Sequence, residues 1–189
     1  LLLLVRTPIY LFPLLYDVGF KEAGMYAILL YFIEGALMFT KSFTVIQFAE
    51  ICATQESHKA LQITRSYYKK SIFWVITLSF LWLLTPCTWL ELLINAPICQ
   101  IQMLSWFLIP GVLFQSISLL ILHHFSGTGY FKFNFYNALI TFSIGLIGFL
   151  FSPHHDIKNI LLTLSLSWLI QLLFYLVFMS RWKKLKQIH

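Results

Sequence analysis

The sequence predicts an all-α fold, a polytopic transmembrane helix bundle of about five complete spans plus one truncated. Composition and pattern lead there. Of 189 residues, 59% are hydrophobic and only 11% are charged, against about 25% charged in a soluble domain. So few charges cannot cover a water-exposed surface, whereas lipid asks for no such cover. Apolar runs of span length then alternate with brief polar turns along the whole chain. The run from Pro110 to Asn134, PGVLFQSISLLILHHFSGTGYFKFN, shows the alternation most plainly.

Taken in order, the first helix covers Leu1 to about Tyr16 and contains Arg6, Pro8 and Pro13. Two prolines five residues apart make it irregular, because each removes a backbone donor and frees a carbonyl. The chain opens inside an apolar run, with no basic region before it and no small-residue cleavage site after it. That pattern is not a signal peptide. It reads as a chain starting mid-helix, so the C-terminal part of a longer protein is expected. A second helix is predicted from about Ala23 to Ile51. The polar stretch Thr54 to Lys70 leaves its charges on one side, which predicts a short helix lying at the membrane surface. Further spans are expected over about 71–93, over 98–125 with a break at Pro110-Gly111, over 133–151 and over 157–180. This amounts to one transmembrane unit over 1–182, with the surface segment at about 54–70, and a basic tail over 183–189.

Orientation follows from the basic residues in alternate turns. One set holds Lys59, Arg65, Lys69, Lys70, Lys132, Arg181, Lys183, Lys184 and Lys186. The other holds Lys21 and Lys158. The C-terminus is therefore expected in the cytoplasm. The net charge of +6 serves topology and attraction to anionic lipid, and is not a nucleic-acid footprint.

Charges inside spans carry the functional signal. Each costs about 2.5 to 3.5 kcal/mol at a helix centre, so a wet cavity or an ion pair is expected around it. Arg6, Glu34 and Lys41 qualify as substrate or cavity residues. Arg6 suits bidentate binding of an anion such as phosphate. Glu34 suits a proton or cation site. Lys41 suits phosphate, or snorkels to the cytoplasmic surface. Pro8, Pro13, Pro110, Gly111, Gly127 and Gly129 are candidate hinge positions. Polar residues of the later spans, Gln115, Ser116, Ser118, Asn137, Thr141 and Ser143, suit helix–helix hydrogen bonds or a polar cavity wall. No catalytic constellation is present, so no enzyme is expected. The pairs His123-His124 and His154-His155 point neighbours to different faces, which is poor metal geometry, and no metal or other cofactor is predicted. Cys87 and Cys99 are placed to meet at one membrane face. The preferred reading of the three cysteines, Cys52 included, is as small buried apolar residues.

Two stretches carry a likeness to a known family. Arg6 precedes AGMYAILLYFIE (Ala23 to Glu34). Pro110-Gly111 leads through Ser116 and Ser118 to HHFSGTG and Asn134. This pattern resembles the polysaccharide-type flippases of the multidrug, oligosaccharidyl-lipid and polysaccharide exporter superfamily. FLFSPHHDIKNILLTLSLSW likewise resembles the family's span end, proline turn and Ser-rich last helix. The resemblance implies a transporter of two six-helix lobes with a central cavity, this chain being most of the second lobe and the N-terminal lobe its partner. It implies a bacterial inner-membrane protein that moves a polyprenyl-diphosphate-linked oligosaccharide outward by alternating access, for surface polysaccharide such as lipopolysaccharide O-antigen. Arg6 and Lys41 would meet the diphosphate, and Glu34 would couple to a proton or sodium gradient, or repel and release the anion. The alternatives are a drug or small-cation exporter of the same superfamily and a membrane enzyme of polysaccharide assembly. The first would need a cavity dominated by acidic and aromatic residues, the second a large polar outer loop or a His/Asp motif.

Overall fold

The computed structural model describes residues 20–54, 56–94, 97–150 and 157–186. These residues form seven helices: α1 Phe20–Ala53, α2 Ser57–Leu84, α3 Cys87–Ile94, α4 Ile98–Ser105, α5 Ile109–Gly127, α6 Phe131–Leu150 and α7 Ile157–Lys186. The helix predicted at the start of the chain, with Arg6, Pro8 and Pro13, lies outside the described residues.

The helix ends follow from proline and glycine. Pro86 excludes the helical region for the residue before it, and Thr85 is extended, at φ −66° and ψ 124°, where α2 stops. Pro97 stands before α4, and Pro110 lies in the first turn of α5, where a missing N–H costs nothing. At the far end of α5, Gly129 takes φ 87°. The Tyr130 N–H donates to Phe125 O at 2.8 Å, and the Gly129 N–H donates to Ser126 O at 3.1 Å. This is the 6→1 and 5→2 pair of a Schellman turn. Asn134 then secures the turn to α6, its Nδ2 donating to Leu122 O and Ser126 Oγ at 2.9 and 2.8 Å.

Helix α5 is the hub, touching α1, α2, α6 and α7. Helix α1 runs antiparallel to α2, as the pairs Phe32–Trp82, Phe39–Trp74 and Phe43–Tyr67 show. It runs parallel to α5. The larger core gathers Tyr26, Leu29, Ile33, Val75, Ile101, Val112, Leu164 and Trp168. A second cluster surrounds Phe125, with the rings of Phe133, Tyr175 and Phe178 within 6.2 Å centre to centre.

The expectation of about five complete spans plus one truncated is corrected. Among the described residues, three helices are long and apolar enough to cross a membrane: Ala23–Ala53, Ile109–Gly127 and Ile157–Ser180. The surface segment and the span after it are one continuous helix, α2. Its first half carries Lys59, Arg65, Lys69 and Lys70, and its apolar half, 71–84, is shorter than the roughly 20 residues a span needs. The apolar run 98–125 is divided at 106–108, before Pro110-Gly111, which leaves α4 with 8 residues. Helix α6 has Lys132, Asn134 and Asn137 in its first two turns. The basic segment at the end is helical through Lys186 and continues α7.

The preferred reading of the cysteines as small buried apolar residues is corrected for all three. Cys87 and Cys99 form a disulfide, S–S 2.05 Å, which joins α3 to α4. Cys52 is free and exposed.

Candidate functional site

The interior of this bundle is polar at the level where α1, α2 and α5 meet. Thr40 Oγ1, Ser71 Oγ and Ser116 Oγ, one from each helix, form a closed triangle with sides of 2.7, 3.0 and 2.8 Å. All three residues are buried. Small hydroxyl side chains allow close helix approach and satisfy one another where water is absent. One to two turns further along, Gln47 Nε2 donates to Thr64 Oγ1 and to Leu120 O, each at 3.0 Å. Thr64 Oγ1 also lies 2.8 Å from His124 Nδ1 and donates to Ala60 O at 3.0 Å. A hydroxyl has one proton. Given to Ala60 O, it leaves Nδ1 of His124 as the donor in their contact.

This polar seam fixes the register of the basic side chains. Thr40 meets Ser71, so Lys41 stands level with Lys70, on opposite sides of the helix pair. Lys70 Nζ sits 5.0 Å over the ring of Tyr67, and the Tyr67 hydroxyl donates to Glu50 Oε1 at 2.8 Å. The hydrogen bond to Glu50, helped by partial burial and by the carboxylate's charge, pushes the Tyr67 phenol above its ordinary value.

The predicted site residues fall on the other face of α1. Positions 31, 34, 38, 41 and 45 share one stripe by helical periodicity. Tyr31 and Met38 are 74% and 66% exposed, Lys41 is exposed and Glu34 is half-buried. Glu34 and Lys41 are about 10 Å apart along the axis. Arg6 lies outside the described residues, so no placement joins it to this pair. Of the hinge candidates, Pro110 opens α5. Gly111 is buried where α5 crosses α7, and a methyl added there would lie 2.6 Å from Ser165 Oγ and 2.7 Å from Trp168. Gly127 faces Ile51 of α1, whose Cγ2 would lie 2.7 Å from an added methyl. Gly129 forms the left-handed turn. Pro8 and Pro13 are outside the described residues. Among the polar residues of the later helices, Gln115, Ser116, Ser118, Asn137 and Thr141 are buried, while Ser143 is exposed.

Among the described residues, no three His, Cys, Asp or Glu side chains come together as a metal site. His123 and His124 diverge: His123 meets Phe48, and His124 meets Thr64. His154-His155 lies outside the described residues. Sequence reading missed two features. Thr40 and Ser71 carried no signal of their own; a small hydroxyl in a long apolar run is the only hint available. Gln102 was also missed. Its Nε2 lies 2.6, 3.3 and 3.0 Å from the carbonyls of Trp82, Leu83 and Thr85, and so serves the C-terminal end of α2.

The chain is thus a multi-pass α-helical membrane protein with a semi-polar interior, an architecture consistent with a transporter-like fold. No family model, curated protein or solved structure matches it.

Proposed function

We propose that this chain forms one wall of the cavity of a membrane flippase for polyprenyl-diphosphate-linked oligosaccharide, acting in surface polysaccharide assembly. The observation that carries the reading is the outward stripe of α1. Glu34 and Lys41 sit two turns apart on a span-length helix, away from the face that packs on α2 and α5. Facing lipid, each would cost about 2.5 to 3.5 kcal/mol. A water-filled cavity removes that cost, and a cation there meets a diphosphate. The family likeness adds Arg6, which lies outside the described residues, as a second cation for the diphosphate, and assigns Glu34 the coupling to a proton or sodium gradient. The opposite wall comes from the N-terminal lobe of the same protein. No covalent chemistry is assigned to the chain; it acts as a carrier and not as an enzyme.

The orientation proposed is that of a bacterial inner-membrane protein with a cytoplasmic C-terminus. Two independent features support it. The basic residues cluster at the end shared by the start of α2 and the end of α7. The Cys87–Cys99 disulfide stands at the opposite end, and such bonds persist in oxidising compartments.

The test is transport in cells carrying the natural gene. Glu34→Gln, Lys41→Gln and Arg6→Ala should each lower surface polysaccharide and make the lipid-linked precursor accumulate inside. Wild-type levels in all three would remove the cavity claim. Loss of drug resistance with polysaccharide intact would instead favour the small-cation exporter.

A further inference from the structure

A groove of about 580 Å³ lies between the first half of α2 and α7, floored by α5. It does not involve the Glu34–Lys41 stripe, and the inference does not depend on the transport reading. One wall is aliphatic, built from Ile117 and Ile121 of α5 and Leu172 and Leu176 of α7. The opposite edge carries Arg65 and His58 of α2. Helices α5 and α7 are two of the three of span length, so the aliphatic wall leads from Ile121, level with Arg65, toward the hydrocarbon at Ile117. The α2 edge belongs to the half that also bears Lys59, Lys69 and Lys70, so it sits at the headgroup level.

Arg65 is exposed and forms no ion pair among the described residues. The nearest acidic side chain in sequence on α2's side, Glu56, is occupied by Lys59 at 2.9 Å. Glu50 accepts from Tyr67 instead. A guanidinium left without a carboxylate at the lip of an apolar groove matches a molecule with one phosphodiester and aliphatic chains. We propose that this groove holds one anionic phospholipid of the adjoining leaflet, its phosphate on Arg65 and a chain along the α5–α7 wall. The charge count selects this occupant. One cation, with a histidine two turns away on the same edge, matches the single negative charge of a phosphodiester, whereas a polyprenyl diphosphate would call for more cations. The volume falls in the range of built ligand pockets, about 300 to 1,000 Å³. Basic pockets between helices at a membrane surface are an established way of reading anionic headgroups.

The experiment is native mass spectrometry of the whole chain, released from detergent micelles titrated with dioleoyl phosphatidylglycerol or dioleoyl phosphatidylcholine. Wild type should retain one phosphatidylglycerol, with at least about a tenfold preference over phosphatidylcholine, the scale of one charge-assisted contact. Arg65→Gln should abolish the preference. Ile117→Trp, which fills the groove, should lower retention of both lipids. Lys59→Gln, outside the groove, should match wild type. Circular dichroism checks helix content, and Arg65→Gln changes an exposed side chain, so it decides the matter even if Ile117→Trp does not fold. Unchanged preference in Arg65→Gln would overturn the proposal. So would equal retention of phosphatidylcholine by wild type. Displacement by millimolar inorganic phosphate would reassign the site to a free anion, and tighter retention of undecaprenyl diphosphate would reassign it to the transport substrate. Either result also overturns the phospholipid assignment.

Discussion

Gly111 and Tyr67 show how single residues hold this bundle. Gly111 has no side chain because Ser165 and Trp168 of α7 occupy the space one would need. Gly111→Val should therefore force α5 and α7 apart and destabilise the fold by about 1 to 3 kcal/mol. Thermal unfolding in detergent, followed through tryptophan fluorescence, would read this, since Trp168 is fully buried. An unchanged transition would mean that the crossing is looser than described. Tyr67 gives a pH signature. Its phenol is held neutral by the Glu50 carboxylate. The folded value lies above the unfolded one of about 10. The contribution is then complete below that pH and is lost as pH rises through the raised folded value. Difference titration of wild type against Tyr67→Phe by tyrosinate absorbance should place this group above the ordinary tyrosine value of about 10. Glu50→Gln should bring it down, and no movement would refute the coupling.

At the scale of elements, the ends matter more than the middles. Helix α2 ends at Thr85 because Pro86 follows, and its last carbonyls would be orphaned in an apolar setting. Gln102 of α4 supplies the donors, and Ser105 accepts from Trp82 Nε1 at 3.0 Å. In return Glu91 of α3 accepts from the N–H of Cys99 at 3.0 Å, at the start of α4. The disulfide closes the same corner. Gln102→Leu leaves these carbonyls unpaired and should cost about 1 to 3 kcal/mol, seen as faster amide exchange confined to the end of α2. Exchange spread evenly over the chain would show that the corner is not a local unit. The turn at Gly129 was legible in the sequence, but the end of α2 was not: the predicted span ran through Pro86 to 93, whereas the helix stops at Leu84. Nor were the partners that satisfy the ends, because Gln102 is about 20 residues from the carbonyls it serves and nothing local distinguishes it from any other glutamine.

For the whole molecule, the seam of hydroxyls and amides sets how the helices stand beside one another, and the disulfide and the basic end are what support the proposed orientation. If the orientation holds, a cysteine introduced by Lys184→Cys should resist an impermeant thiol reagent in intact cells. After mild reduction, Cys87 and Cys99 should react with it. Labelling in the reverse pattern would invert the topology. Composition and the alternation of span-length apolar runs determined that this is an all-helical membrane protein, because 11% charge cannot cover a fold in water. Local chemistry determined where helices stop, since the effects of proline and left-handed glycine act within a residue or two. The candidate site was legible only in part: Glu34 and Lys41 stood out as charges in an apolar run. Their position on the outward face of α1, with Thr40 turned inward to Ser71 and Ser116, was decided by packing. The number of span-length helices was also decided there. Apolar runs of similar composition merge, break or fall short according to which polar groups find partners across the bundle. Such pairings join residues far apart in the chain and leave no periodic trace in it.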